Sequence, residues 1–198
     1  MSDKERYQKA ISLIDKANLQ DPNTELLDGK EFPKELLYSN RMTSWLDILD
    51  PEASDVLKIA ARAQHIERWK IPRSKYPVDR DGYRMWRKEL MDFHASRVSE
   101  IMSHVGYDED SILRVKSLIK KELFKTDPDS QMLEDVVCLV FLENYFSDFS
   151  KEHLNDPDKL SRIITKTWNK MSENGRELAL KLKIPAEAKS LISKALQG

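Results

Sequence analysis

The chain has few of the residues that mark specialised folds. Its 198 residues include 5 glycines, 8 prolines and a single cysteine, Cys138, which excludes collagen-like, low-complexity and disulfide-stapled proteins. The glycines are isolated, so there is no glycine-rich phosphate loop, and the sequence contains no CxxC, HExxH or GxSxG motif. These absences remove the commonest signatures of nucleotide, zinc and serine-hydrolase sites.

Long apolar runs and an excess of one charge are also missing. The longest apolar run, Val136 to Leu142, is too short to span a bilayer, and the first residues have no apolar signal-peptide core. Lys and Arg number 33 against 34 Asp and Glu, a net charge of −1, which gives no general attraction to nucleic acid or anionic membrane. We therefore expect a cytoplasmic protein with no membrane contact and no extended nucleic-acid surface.

Helix-forming residues, with apolar positions three and four apart, dominate the rest of the sequence. This pattern predicts an all-α bundle of about eight helices that forms a single domain over residues 1–198. Turn residues predict a loop or short hairpin at 21–33, and residues 71–83 are expected to lack regular structure. The third helix is predicted from Ser54 to Trp69 and the sixth from Pro128 to Ser150.

Three ionisable side chains interrupt helix faces that should be apolar. Asp135 falls on the core stripe of the sixth helix, His94 on that of the fourth and His65 on that of the third. Asp135 needs a metal, a cation or strong donors beside it, or else it pairs with Arg or Tyr to hold helix register. Each histidine is either a hydrogen-bonded core residue or part of a pocket shared between helices. Convergence of all three would make a catalytic site.

A second group of residues is cationic and aromatic. Arginine binds phosphate or carboxylate with two parallel hydrogen bonds and stacks on rings, so the segment IPRSKYPVDRDGYRMWR suits an anion with a planar group, such as a nucleotide. The alternative is an ordered loop whose arginines pair with local acids. Lys166 and Lys170 share a helix face, either as a solvated edge or as further phosphate donors. The candidate substrate-binding residues are Arg73, Tyr76, Arg80, Tyr83, Arg87, Lys166 and Lys170.

The stretch from Tyr38 to Trp69, together with a later segment, carries a resemblance to a known family. YSNRM at 38–42, ARAQHIER at 61–68 and EDVVCL at 134–139 resemble the metal-binding segments of HD-domain phosphohydrolases. Tyr38 stands where that family has its first His ligand, Gln64 and His65 stand at its His-Asp pair, and Asp135 matches its last ligand. The resemblance implies a divalent ion (Mn, Fe, Mg or Zn) bound by His65, Asp135 and Gln64, with His94 beside it.

Five further stretches carry a second resemblance that covers nearly the whole chain. They are DPNTELLDGKEFPKELLYSNRM, ARAQHIERWKIPRSKYP, GYRMWRKELMDFHA, LEDVVCLVFLE and KTWNKMS. In these stretches the chain resembles the uncharacterised DUF4202 family of bacterial and fungal proteins, sometimes labelled glutamyl-tRNA synthetase-like. This resemblance implies a family but no activity.

The leading hypothesis is a divergent HD-type, metal-dependent phosphohydrolase that acts on a small phosphorylated or nucleotide-like substrate. His65, His94 and Asp135 would be its catalytic residues, and the bound ion would polarise the phosphate and activate a water. The alternative is a catalytically silent HD-like module that binds an anionic, nucleotide-like ligand. A third option is a metal-free enzyme that uses His65 and His94 as acid and base. Aromatic residues outside the inferred core are compatible with a homodimer.

Overall fold

In the part of the chain that the structure describes, the fold is all-α apart from a short hairpin, which confirms the predicted all-α class. The structure is a computed structural model that describes residues 2–123, 126–153 and 155–197. Its helices are α1 (Asp3–Asn18), α2 (Lys34–Leu49), α3 (Asp55–Arg62), α4 (Arg80–His104), α5 (Glu109–Lys120), α6 (Pro128–Asn144), α7 (Phe146–Glu152), α8 (Pro157–Lys170), α9 (Glu173–Lys181) and α10 (Ala186–Gln197). Strands β1 (Thr24–Leu27) and β2 (Lys30–Pro33) precede α2, and short 3-10 turns occupy Arg68–Lys70 and Arg73–Lys75.

The elements belong to two compact units, one ending at Ser130 and one beginning at Gln131. In the first unit, α4 packs along α5, α3 packs against α2 and α5, and α1 contacts α2, α3 and α4. In the second unit, α10 packs against α7 and α8. The single domain over residues 1–198 stays a prediction. Among the described helices, none is both long and apolar enough to cross a membrane.

The hairpin turns at Asp28 and Gly29, whose φ angles are +50° and +75°. Positive φ at both central residues is the geometry of a type I′ turn, which Asp-Gly favours. The strands pair antiparallel, with Leu27 opposite Lys30. Because α2 starts immediately after β2, the hairpin fixes the position of the first turn of α2.

Helix α2 has no side-chain cap of its own, because Pro33 occupies its N-cap position. Asp21 supplies the missing acceptor: its Oδ2 receives the backbone N–H of Glu35 at 3.0 Å. Its Oδ1 receives the N–H of Asn23 at 2.9 Å. One carboxylate therefore ties the loop before β1 to the first turn of α2 and sets the position of Glu35.

The predicted third helix from Ser54 to Trp69 is wrong in its second half. Helix α3 ends at Arg62 and turns follow it. Glu67 has a left-handed backbone, with φ of +52°, and its N–H donates to Asn18 Oδ1 at 2.8 Å. This bond to the end of α1 replaces the helical bond, so His65 lies in a turn and not on a helix face.

The predicted sixth helix from Pro128 to Ser150 is also wrong in its length, because it is two helices. The chain leaves helical geometry at Tyr145, with φ −122° and ψ −23°. Beyond the break, Phe146 meets the ring of Phe141 edge-on, with centroids 6.0 Å apart. Residues five apart point to different sides of a continuous helix, so the break is what allows this pair to meet.

Candidate functional site

His65 is held on three sides within the first unit. Tyr38 stacks on its imidazole, with ring centroids 4.0 Å apart and an interplanar angle of 12°. Arg68 NH1 lies 3.3 Å from Nε2; because a guanidinium only donates, Nε2 accepts and the ring proton is on Nδ1. Nδ1 faces Glu35 Oε2 at 3.4 Å. The plane, the orientation and the tautomer of the imidazole are therefore all fixed.

His94, from α4, lies beside His65 with ring centroids 6.1 Å apart. Its Nδ1 is 2.7 Å from the carbonyl oxygen of Ile66, which only accepts, so Nδ1 carries the proton. Nε2 is buried without a hydrogen-bond partner among the described residues. Burial lowers the pKa of His94 to about 3 and holds the pKa of His65 well below its usual value. Both rings are neutral at pH 7.

The turn that carries His65 is anchored by Asn18, at the end of α1. Asn18 is fully buried; its amide donates to Ser39 Oγ at 2.8 Å and its Oδ1 accepts the N–H of Glu67. The Glu67 carboxylate in turn binds Lys70 at 2.5 Å and Arg97 at 2.6 Å. A left-handed backbone costs a non-glycine residue about 1 kcal/mol or more, and these bonds keep Glu67 in that conformation.

The first unit contains an open cleft of about 640 Å³. Its walls come from residues 22–24, the first turn of α2, the segment that includes both 3-10 turns, and Trp86 of α4. Neither His65 nor His94 lines it. His65 instead contacts two side chains that do line it, Glu35 and Arg68. The predicted histidines therefore support the wall of the cleft.

Glu35 is the acid of this cleft. Its side chain is 9% exposed, and burial raises its pKa to about 7, an effect that Arg68 partly offsets. The nearest cationic atom of Arg68, Nε, is 4.0 Å from Oε1, and His65 Nδ1 is 3.4 Å from Oε2. Both distances exceed an ordinary hydrogen bond. A carboxyl group whose pKa lies near 7 both gives and takes protons at neutral pH, as acid–base catalysis requires.

Positive charge outweighs negative charge around the cleft. Lys34, Arg68 and Arg73 line it, together with the single acid Glu35, among the described residues. Burial and the nearby Arg87 guanidinium lower the pKa of Arg68 from its usual value, but an arginine stays charged at neutral pH. An anion that enters the cleft would reduce this mutual repulsion.

Trp86 provides a rigid aromatic surface in the same cleft. Its indole Nε1 donates to the carbonyl oxygen of Ile71 at 2.8 Å, which fixes the ring. The guanidinium carbons of Arg68 and Arg73 lie 4.8 and 5.9 Å from its ring centroid. These cation–π contacts hold both arginines at the cleft wall.

The arginine-rich segment is partly bonded to itself, and Arg73 uses backbone carbonyl oxygens where the alternative interpretation expects local acids. Arg73 donates to the carbonyl oxygens of Tyr76 at 2.9 Å and Pro77 at 2.7 Å, and the Tyr76 hydroxyl donates to Glu89 at 2.5 Å. These bonds shape the loop. Of the five candidate residues from this segment, Arg73 is the one that lines the cleft.

The other three candidates of the segment lie on α4. Arg80 and Tyr83 are exposed. Arg87 is half-buried and close enough to His65 and Arg68 to lower the pKa of each. Arg87 therefore contributes positive charge near His65 and Arg68. Substrate binding by all three stays a prediction.

Asp135 belongs to the second unit, and its carboxylate already receives several hydrogen bonds. Ser172 donates its N–H to Oδ1 at 2.8 Å and its hydroxyl to Oδ2, and Gln131 donates to Oδ1 at 3.1 Å. A Cβ on Gly175 would come within 2.8 Å of this carboxylate. Because Ser172 caps α9, these contacts join α6 to α9 and supply the strong donors that a buried Asp135 needs, in place of the Arg or Tyr of the register-holding interpretation.

The two candidate lysines also lie in the second unit, on α8. Lys170 pairs with the buried Glu134 at 2.5 Å, and Lys166 is exposed. The pair with Glu134 reduces the charge that Lys170 has available for a ligand. Phosphate binding by Lys166 and Lys170 stays a prediction.

The residues that the HD resemblance implies as metal ligands lie in different units. Gln64 and His65 belong to the first and Asp135 to the second. Gln64 is buried, and its Oε1 has no hydrogen-bond partner among the described residues. Within residues 2–123, 126–153 and 155–197, no group of three or more His, Cys, Asp or Glu side chains could hold a metal ion. A divalent ion therefore stays a prediction.

Sequence reasoning missed three residues that build this site. Asn18 and Asp21 look like ordinary polar residues at a helix end, and Glu35 looks like an acid placed to complement the helix dipole. Their roles depend on partners up to 49 residues away, such as the Asn18–Glu67 bond. One signal was present: both Asp21 and Glu35 fall in the stretch DPNTELLDGKEFPKE.

Residues 8–192 match a family model described as a domain of unknown function, DUF4202. The chain belongs to this family. The DUF4202 match spans the cleft residues and Asp135 alike. No curated protein and no solved structure matches the chain. The relation of this DUF4202 chain to HD-domain phosphohydrolases stays a prediction.

Proposed function

We propose that this protein binds a small phosphorylated, nucleotide-like molecule in the cleft at the start of α2 and hydrolyses it. The observation that carries the proposal is the environment of Arg68. This guanidinium lines the cleft, its side chain is 22% exposed, and the carboxylate beside it is 4.0 Å away. An arginine whose two-pronged donor set is not matched by a close carboxylate is suited to phosphate.

The other charged residues of the cleft favour the same ligand. Lys34 and Arg73 line it with Arg68, so a phosphate dianion would lower the electrostatic energy of the site. Trp69 and Trp86 also line it. Stacking a base on an aromatic side chain contributes roughly 1–3 kcal/mol, and the fixed ring of Trp86 offers such a surface.

Hydrolysis requires a water molecule to attack phosphorus. The water oxygen forms a bond to phosphorus and releases a proton to solvent, the ester P–O bond breaks, and the leaving oxygen takes a proton from solvent. Arg68 neutralises the charge that develops on the phosphate oxygens. His65 lies beside Glu35, with Nδ1 3.4 Å from Oε2, and His94 packs next to His65.

The proposed hydrolysis relies on the residues of the cleft without a metal ion, because the described residues include no group of three or more His, Cys, Asp or Glu side chains that could hold one. The divalent ion implied by the HD resemblance remains a prediction. Metal content of the purified protein, and activity with and without added Mn²⁺ or Fe²⁺, test it. A stoichiometric ion whose removal lowers the melting temperature would support that prediction.

A catalytically silent binding module is the second candidate. The stacking of Tyr38 on His65 favours it, because a phenol packed flat against an imidazole serves structure rather than metal chemistry. Both candidates use the same cleft and differ in phosphate release. Release of phosphate from a bound ligand supports the hydrolase, whereas binding without release supports the module.

Replacing Arg68 with methionine tests the cleft. Methionine is apolar and of similar length to arginine, and it lacks the charged donors. We therefore expect affinity for phosphorylated ligands to fall at least about 10-fold. Thermal-shift titrations with nucleoside monophosphates and sugar phosphates measure it, since a ligand that selects the native state raises its melting temperature.

Arg84→Met is the matched control, since Arg84 pairs with Asp81 on the surface and its side chain is 61% exposed. It should bind as the wild type does. Phosphorylated ligands that stabilise the wild type and Arg68→Met equally would contradict the proposed site.

A further inference from the structure

Glu35 places a nearly buried carboxylate at the wall of the cleft. Its side chain is nine-tenths buried, it lines the cleft, and its contacts with the neutral His65 and with Arg68 measure 3.4 and 4.0 Å. Neither carboxylate oxygen receives a hydrogen bond of ordinary length from these partners. The carboxylate is therefore available to a hydrogen-bond donor that enters the cleft.

Hydrogen bonds hold the backbone of Glu35 in the first turn of α2. Its N–H is bound by Asp21 at 3.0 Å and its carbonyl accepts the Ser39 hydroxyl at 2.8 Å. Asp21 adds negative charge and Lys34 adds positive charge near the carboxylate. The backbone bonds keep Glu35 at the cleft wall, where a ligand can supply hydrogen-bond donors.

The chemistry of the cleft restricts which donors a ligand brings. An ammonium group would be repelled by Arg68, Lys34 and Arg73, which also line the cleft. Neutral hydroxyl groups carry no such penalty. A carboxylate has two oxygens, so two adjacent hydroxyls match it with one hydrogen bond each.

We propose that Glu35 is a specificity-determining residue that accepts hydrogen bonds from a pair of adjacent hydroxyls on the ligand. The ligand class is a phosphate ester of a polyol, such as a ribonucleotide or a sugar phosphate, with the phosphate at Arg68 and the diol at Glu35. This inference rests on the proposed function, since it places the phosphate in the same cleft. The cleft then distinguishes ribose from its deoxygenated forms.

Calorimetric titration with adenosine 5′-monophosphate and with its 2′-deoxy and 2′,3′-dideoxy analogues tests the inference. Hydrogen bonds to a charged group are strong, so the wild type should bind the ribose form at least about 10-fold more tightly than the dideoxy form. The 2′-deoxy form should fall between them. The ratio of affinities is the readout, because it cancels the contribution of the phosphate.

Glu35→Gln should bring this ratio close to 1 while phosphate binding persists. Glu31→Gln is the matched control, because Glu31 is an exposed acid of β2, and it should keep the wild-type ratio. Equal binding of the ribose and dideoxy forms by the wild type would overturn the inference and leave the proposed function standing. Binding of none of the three would overturn both.

Discussion

Replacing Glu35 with glutamine is expected to stabilise the folded protein by about 3 kcal/mol at pH 8. Burial raises the pKa of Glu35 from 4.5 to about 7, and each unit of difference between folded and unfolded states corresponds to roughly 1.4 kcal/mol. The ionised carboxylate is therefore destabilising above that pKa. Glutamine has nearly the same shape and no charge to desolvate.

The pH dependence fixes the sign of this effect. Because the folded-state pKa lies above the unfolded value, the folded protein holds the extra proton between pH 4.5 and about 7, and stability falls as the pH rises through that range. Below pH 4.5 both states are protonated, so wild type and Glu35→Gln should be equally stable.

Urea denaturation at pH 4 and pH 8 measures this difference. Glu31→Gln, at an exposed site, should change stability by less than about 0.5 kcal/mol at either pH. A loss of stability in Glu35→Gln at pH 8 would show that the charge of Glu35 is well compensated. A stability gain together with loss of ligand discrimination would be the trade-off typical of a binding site.

Replacing Asn18 with alanine is expected to destabilise the protein by about 3 kcal/mol. The substitution removes the acceptor for the N–H of Glu67 and the donor to Ser39, both at 2.8 Å in a fully buried position. A buried group that loses its partner costs roughly 1–3 kcal/mol. The left-handed backbone of Glu67 would also lose its anchor.

Asn40→Ala is the control for this variant, because Asn40 is exposed on α2, and it should cost less than about 0.5 kcal/mol. Denaturant unfolding measures both. The NMR signals of the His65 imidazole should also shift in Asn18→Ala, since the turn that carries His65 is held by this bond. A loss below about 1 kcal/mol with unchanged His65 signals would contradict the anchoring role of Asn18.

Local signals in the sequence were sufficient for much of the fold. Apolar spacing predicted the long helices, and Asp28-Gly29 predicted a turn that the structure places in a hairpin. The end of the third helix was missed because the cause is remote: Asn18 captures the Glu67 N–H from 49 residues away. No local residue pattern encodes that bond, and Glu67 is not the glycine expected at a positive φ.

The candidate site was less accessible to sequence reasoning. Burial of His94 and Asp135 followed from helical periodicity and is confirmed, but their partners did not follow from it. The Ser172 contacts of Asp135 and the Tyr38 stacking on His65 depend on packing between helices. No local pattern predicted the raised pKa of Glu35, because it comes from burial that tertiary structure creates.

The tryptophan indole signals offer the most direct test of a phosphate-ester site in this cleft. Of the four tryptophans, Trp69 and Trp86 line the cleft, whereas Trp45 on α2 and Trp168 on α8 do not. Adenosine 5′-monophosphate is titrated into the ¹⁵N-labelled full chain while the indole N–H signals are followed. Saturable shifts of Trp69 and Trp86, with Trp45 and Trp168 unchanged, are expected. Shifts confined to Trp168, or none in the presence of measurable binding, would contradict a site in this cleft.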